Sequence, residues 1–284
     1  VLNIQTNRFL SEVSTFGIGG PIRFFAEVAS PEEAEEAYAW ARSKKLSVLV
    51  VGKGSNCLFR DELFEGLVLL NKIDFCTIND VEVSVGSGFS FSLLGVQTAK
   101  RNLSGLEFAS GIPATVGGAI FMNAGANGKE TFESLHSVSY LYESGERREF
   151  QKEELFSGYR TSCFQAMKGF ILSACFRLAP KEEARKSQLD IIQYRLKTQP
   201  YKEKSAGCVF RNPSREISAG ALIEKCGLKG FSIGSAKVSE LHANFFINRG
   251  NATAQEMIEL IERVQRKVFE KTGIHLEREI RVIP

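Results

Sequence analysis

Residues 105–128, GLEFASGIPATVGGAIFMNAGANG, constrain this chain more than any other stretch. Gly105, Gly111, Gly117, Gly118, Gly125 and Gly128 stand among small residues such as Ala109, Ser110, Ala114, Ala119 and Ala124, and Pro113 fixes one backbone angle. Glycine loses more conformational entropy on folding than any other residue and weakens helices and strands alike. So dense a run therefore implies that the backbone comes close to something bulky. Amides with no side chain in the way suit phosphate oxygens. Two readings stay open at this point. One is a loop that cradles the pyrophosphate of a dinucleotide, and the other is a tight turn packed against a sheet.

The rest of the chain narrows the class. Its 284 residues can hold about two or three domains. With 43% hydrophobic and 24% charged residues, it reads as a soluble globular protein. No apolar run reaches the roughly 20 residues of a membrane span. The first ten residues, VLNIQTNRFL, lack the basic start and apolar core of a signal peptide. The absence of Met at position 1 suggests that the numbering begins inside the gene product. A net charge of +3 suits anionic small molecules, and no Lys/Arg run with interleaved aromatics points to nucleic acid. Cysteines at 57, 76, 163, 175, 208 and 226 form no CxxC, and His136, His242 and His275 form no HxxxH, so no metal site is expected. A chain this long needs no disulfide staples, which favours a reducing cytoplasm.

In chain order, Ser30-Pro31-Glu32-Glu33 opens a helix to about Lys45, with Ser30 as cap and Glu33 closing a capping box. A buried strand over 46–51 follows and runs into Gly52-Lys53-Gly54-Ser55-Asn56. Short strands are expected over 66–90, a helix over 90–102, a hairpin from 137–142 and 147–150, and a strand over 169–178. Glu182–Lys197 reads as a charged amphipathic helix ending before Pro200, and a domain boundary is placed near 179/180. A short helix over 219–226 stops at Gly227, and a strand is expected over 243–248. Thr253 and Glu256 form a second capping box for a helix whose Met257, Leu260, Ile261, Val264 and Val268 share a core face up to Gly273. The tail alternates over 276–283, putting Leu276, Ile280 and Val282 on one face with Arg278, and Glu277, Glu279 and Arg281 on the other. Mixed small groups of strands and helices make the fold class α+β.

Residues 52–56 match no nucleotide fingerprint. The dinucleotide pattern needs glycine at position 57, which is Cys57, and the triphosphate loop needs a longer spacing before Gly-Lys. A strand-ending turn and a ligand loop both remain open there. Three more clusters are chemically suggestive: Tyr159-Arg160-Thr161-Ser162, Ser205 to Pro213 with Cys208, Arg211 and Asn212, and His242-Ala243-Asn244. Taken singly these features have plain explanations: a surface or structural ion pair for Arg160, a small buried apolar group for Cys208, and a solvated strand face for the charges at 277–281.

Taken together and in order, the segments STFGIGG (14–20), VGKGSN (51–56), the 105–128 run, YRTSCF (159–164), SAGCVFRNP (205–213), AGALIEKCGLKG (219–230), HANFFIN (242–248) and LEREIRVI (276–283) resemble the UDP-N-acetylenolpyruvoylglucosamine reductase family, in its short form without the substrate-covering Tyr loop. The resemblance implies a two-part FAD-binding region of the vanillyl-alcohol-oxidase type plus a C-terminal α/β substrate domain. It divides the chain into 1–70 (joined by the strand 276–284), 71–179 and 180–275. It implies FAD held by Gly52, Lys53, Gly54, Ser55, Asn56, Ser110, Gly111, Ile112, Pro113, Thr115, Gly117, Gly118, Ala119, Asn123 and Gly125. It also implies a cytoplasmic enzyme of peptidoglycan precursor synthesis, expected as a monomer without nucleic-acid or membrane partners. Its substrates are NADPH and a UDP-sugar enolpyruvate.

The family's catalytic Arg and Glu fall on Arg160 and Glu279. Its usual proton-donating Ser falls on Cys208, a departure. A thiol, with a reference pKa of about 8.5, is a stronger acid than a hydroxyl. The resemblance asks Glu279 to act protonated, which would need a raised pKa. Arg211, Asn212, His242 and Asn244 are candidate substrate contacts. An oxidase of the same flavin fold with another substrate, or a flavin-binding protein without activity, are the alternatives.

Overall fold

The computed structural model describes residues 2–284; Val1 lies outside the described residues. Its contacts divide the chain into two units, residues 1–6, 24–53 and 65–195 in one, and 7–23, 54–64 and 196–284 in the other. The division falls after Arg195, so the helix Ala184–Thr198 lies mostly with the first unit. Among the described residues no helix is long and apolar enough to cross a membrane.

In the first unit, the strand Val48–Val51 pairs in parallel with Phe64–Asn71, from Val48↔Leu67 to Val51↔Leu70. The helix Pro31–Ser43 packs Ala34, Ala37, Tyr38 and Ala41 against Ala26, Val28, Leu67 and Leu69. Its cap forms as expected at Ser30, whose Oγ accepts the Glu33 amide at 3.2 Å, but the Glu33 carboxylate reaches back to Ala29 N instead of Ser30. An antiparallel five-stranded sheet follows, ordered Arg147–Gln151, Leu135–Tyr142, Gly169–Arg177, Glu82–Gly86 and Cys76–Asn79.

That sheet has a core on each face. Phe170 and Leu172 join the core under the helix Pro31–Ser43, whereas Ala174 and Phe176 join the core under the helices Phe91–Lys100 and Val116–Met122. A strict period of two would keep these four even-numbered residues on one face. The ladder explains the switch. Ser139 opposes Ser173 but Tyr140 opposes Ile171, so Leu172 is the extra residue of a bulge, and the alternation changes sides there.

The second unit wraps its core around the helix Ala254–Thr272. Thr253 and Glu256 make the expected reciprocal cap, Gly273 ends the helix at φ 70°, and Met257, Leu260, Ile261, Val264 and Val268 are fully buried. Strands Ala236–Val238 and Phe246–Asn248 pair beside it. The tail is shorter as a strand than the alternation implies. Only Arg281–Ile283 pairs in parallel with Cys57–Phe59, while Leu276 and Ile280 are buried and Arg278 is turned out to Glu262 at 3.3 Å.

Buried Asn248 ties this unit together. Its Nδ2 donates to Phe16 O at 2.9 Å, and its Oδ1 accepts from Gly250 N at 2.9 Å and Ala252 N at 3.0 Å. Truncating it strands two buried backbone groups, Phe16 O and Ala252 N, each costing about 1–3 kcal/mol when unmet. Losing the Thr253 cap costs about 1 kcal/mol. Asn248→Ala is therefore expected to lower the urea midpoint clearly more than Thr253→Ala, and equilibrium unfolding of the two variants checks the ranking.

Candidate active site

The glycine-rich stretch is partly helical. Val116–Met122 forms a short helix, with Thr115 Oγ1 accepting the Gly118 amide at 3.2 Å and Asn123 closing it in left-handed backbone at φ 42°. Sequence reading missed this helix, although Thr115 before an apolar run was its start signal. Most amides of the loop are spent inside the protein. Gly111 N donates to Ser92 Oγ at 2.7 Å, Val116 N to Phe89 O at 2.9 Å and Gly117 N to Ser87 O at 2.8 Å. A Cβ on Gly52 would stand 2.3 Å from Thr115 Oγ1, and one on Gly117 would stand 3.0 Å from Ser87 Cβ.

Those two glycines answer to packing, as the turn reading expects. Gly118 answers differently. It is exposed, and a Cβ there would meet only Thr115 Oγ1, at 3.3 Å. Pro113 is exposed beside it, Gly111 and Ile112 are half-buried, and Ala119 faces inward. Among the described residues, Ser110 Oγ is buried without a hydrogen-bond partner.

The stretch 52–56 adds polar capacity. Lys53 Nζ donates to Ser90 Oγ at 3.0 Å, and desolvation lowers its pKa, with Asp74 opposing. Among the described residues, the amides of Gly54 and Ser55 donate to no protein acceptor. Neither 52–56 nor 110–118 contains a carboxylate. Within the first unit, an open Gly118, the Lys53 ammonium and the lack of any carboxylate over 110–118 suit an anionic group.

Arg160 stands in the first unit at the tip of a hairpin in which Ser157 pairs with Ser162 and Gly158 with Thr161. Its backbone is left-handed, φ 55°. Its Nη2 donates to Gly125 O at 2.9 Å, and its guanidinium lies 4.9 Å over the Tyr159 ring. Asn123, read from sequence as a cofactor contact, is 1% exposed. Its amide donates to Glu130 Oε2 at 2.8 Å and Gly158 O at 3.0 Å and accepts from Phe132 N at 3.1 Å.

In the second unit, hydrogen bonds link the stretches that carry Cys208, Glu279 and Asn56. Half-buried Cys208 follows Gly207, whose φ of 74° suits a residue without Cβ, and bridges to Phe245. The next residue supplies the link, because Val209 O accepts Glu279 N at 2.7 Å. Asn56 holds Glu279 from the other side, donating from Nδ2 to Glu279 O at 3.3 Å and accepting Arg281 N at 2.9 Å. Cys208 and Glu279 are thus carried on two stretches joined through Val209. Asn244, 2% exposed, clamps Phe210, accepting its N–H at 3.0 Å and donating to its O at 2.8 Å, so both ends of its amide are engaged. Asn212 Oδ1 accepts the Ala219 amide at 3.0 Å, and Arg211 lies 4.0 Å from Glu277. His242 lies edge-on to Phe245, and desolvation holds its pKa below the ordinary value, favouring the neutral ring. Among the described residues no group of three or more His, Cys, Asp or Glu could hold a metal ion.

Cys57, at the position where the dinucleotide fingerprint wants glycine, is no nucleophile. Burial pushes its thiol up from 9.0 to about 11, with Arg281 opposing. A raised folded-state pKa on an acid means that the unfolded chain loses its proton first. The stabilisation from the neutral thiol is therefore complete below pH 9 and lost as pH rises toward 11. At about 1.4 kcal/mol per unit, unfolding free energy should fall by roughly 2–3 kcal/mol across that window. Urea titrations of wild type against Cys57→Ala check it, since the variant lacks this part of the slope.

Comparisons with known proteins follow the same lines. A family model described as the C-terminal domain of UDP-N-acetylenolpyruvoylglucosamine reductase matches residues 199–283, and an FAD binding domain matches 22–151. The chain is 53% identical to UDP-N-acetylenolpyruvoylglucosamine reductase of Protochlamydia amoebophila, over 99% of this chain and 94% of that one. It is 47% identical to the protein of the same name from Chlamydia muridarum, over 99% and 95%. The crystal structure of the reductase from Thermus caldophilus superposes with a TM-score of 0.85 at 35% identity and covers 100% of both chains.

Proposed function

The chain belongs to the UDP-N-acetylenolpyruvoylglucosamine reductase family, and from that membership we propose how its own residues serve the reaction. It is an FAD-dependent enzyme that uses NADPH to reduce the enolpyruvyl group of UDP-N-acetylglucosamine enolpyruvate, giving UDP-N-acetylmuramate for peptidoglycan synthesis. FAD, when bound, takes hydride from NADPH and passes it to the vinyl carbon of the substrate. Gly52–Asn56 and the 110–118 loop would hold its pyrophosphate, with Gly118 giving room for close approach and Lys53 offsetting charge. Asn123 and Ala119 would support that loop from within, and Gly125 would anchor Arg160.

Adding hydride to the vinyl carbon leaves the electron pair on the neighbouring carbon, delocalised into the carboxylate. The site must then stabilise that charge and deliver one proton. A guanidinium binds both oxygens of a planar carboxylate, which is the role proposed for Arg160. Glu279, acting as an acid, would donate a hydrogen bond to the same group. The Cys208 thiol would supply the proton to carbon, a contribution worth roughly 10²- to 10⁴-fold. The observation that supports pairing these two is the bond from Glu279 N to Val209 O, 2.7 Å, which holds residue 279 beside the stretch that carries Cys208. Arg211, Asn212 and His242 remain as contacts for the diphosphate or uridine, with Asn244 holding their strand. The same reading makes the protein a cytoplasmic monomer without nucleic-acid or membrane partners.

Two assays test this. Purified protein should be yellow, bleach on anaerobic addition of NADPH, and recover colour on addition of the enolpyruvyl sugar nucleotide. Failure of the second step would remove the substrate assignment. Cys208→Ala should bleach as wild type does, but reoxidise with substrate at least 10²-fold more slowly, whereas Cys208→Ser should keep substantial activity. Unchanged turnover in Cys208→Ala would exclude the thiol as donor.

A further inference from the structure

Arg160 occupies a turn position that favours glycine. It is the second of two residues between Gly158 and Thr161, with φ 55° in the left-handed region that costs an L-residue free energy. Such strain persists only where neighbours over-determine it. One neighbour that does so is Gln165. Its Nε2 donates to Arg160 O at 3.2 Å and to Phe121 O at 3.0 Å. Phe121 belongs to the helix Val116–Met122, and Ser162 Oγ donates to the same carbonyl at 2.8 Å. Met122 Sδ lies 3.6 Å from the same Gln165 nitrogen.

One amide therefore ties the strained carbonyl of Arg160 to the end of the helix that begins in the glycine loop. Ser162 Oγ anchors the hairpin through Phe121 O, a bond separate from the one that Gln165 makes to Arg160 O.

We propose that Gln165 is a positioning residue, which holds the Arg160 turn in left-handed backbone and so aims the guanidinium at the substrate carboxylate. This rests on Arg160 being the carboxylate ligand. Without the Gln165 bond, the Arg160 carbonyl loses its tie to the helix Val116–Met122, the left-handed backbone is held less tightly, and the guanidinium leaves its aim. The effect falls on the ligand that carries a carboxylate at the reacting end, and not on the cofactor.

The test uses Gln165→Met, which keeps length and apolar bulk but loses the donor, alongside Arg160→Ala and the double variant. Loss of this part-buried hydrogen-bond donor should raise the substrate KM roughly tenfold. FAD affinity, followed by quenching of free flavin fluorescence, and the rate of bleaching by NADPH should stay within about twofold. In the Arg160→Ala background, Gln165→Met should add no further change in substrate KM. Equal losses in FAD affinity, NADPH bleaching and substrate KM, or full additivity in the double variant, would overturn the positioning role. If Arg160→Ala itself leaves substrate KM unchanged, the underlying assignment of Arg160 fails instead.

Discussion

Close approach of backbone to backbone in the first unit is the constraint on which its site depends. Gly117 lies against Ser87, Gly95 against Leu106 O, where a Cβ would come to 2.6 Å, and Gly52 against Thr115. These contacts let a seven-residue helix sit directly on the turn that follows the strand Glu82–Gly86. A helix that short is marginal alone. Here it is capped by Thr115 and Asn123 and buried through Val116, Ala119 and Ile120. Its rigid placement leaves Gly118 facing outward at one end and Phe121 O available at the other.

Buried asparagines do comparable work elsewhere. Asn123, Asn244 and Asn248 are each at most 3% exposed, and each uses both the donor and the acceptor end of its amide. In a low-dielectric interior an unmet amide is costly, so such a side chain pins irregular backbone as firmly as a strand pairing does. All three hold segments next to candidate site residues: the Arg160 hairpin, the 209–211 stretch and the turn at Phe16. A side chain chemically able to touch ligand is thereby committed to holding its neighbours.

The chemistry asked of the site explains why its groups differ in kind. Charge stabilisation needs a permanent cation, which a guanidinium provides at any physiological pH. Proton delivery to carbon needs an acid that is still protonated at neutral pH but gives up its proton readily, and a thiol fits between a carboxylic acid and a hydroxyl. Cys208 follows a left-handed glycine, which lets the chain turn there without a side-chain clash.

The helix starting at Pro31, the helix from Ala254 to Gly273 with its core face, and the hairpin over 135–151 were legible because caps, 3.6-residue spacing and turn residues act locally. Residues 52–56 and the glycine run stood out as motifs because chemistry restricts residue type there, whereas Arg160, Cys208 and Glu279 were given their roles only by the family resemblance. The short helix at Val116 was hidden by its glycines. The change of face at Leu172, the clamps made by Asn56, Asn123, Asn244 and Gln165, and the grouping of residues 7–23 and 54–64 with the C-terminal stretch were decided by tertiary structure. Hydrogen bonds between residues as distant in sequence as Asn56 and Glu279 leave no periodicity behind, and a bulge reverses a two-residue pattern without any local sign. Sequence determined which groups were available for the reaction; only packing determined which of them are held by, and which instead hold, their neighbours.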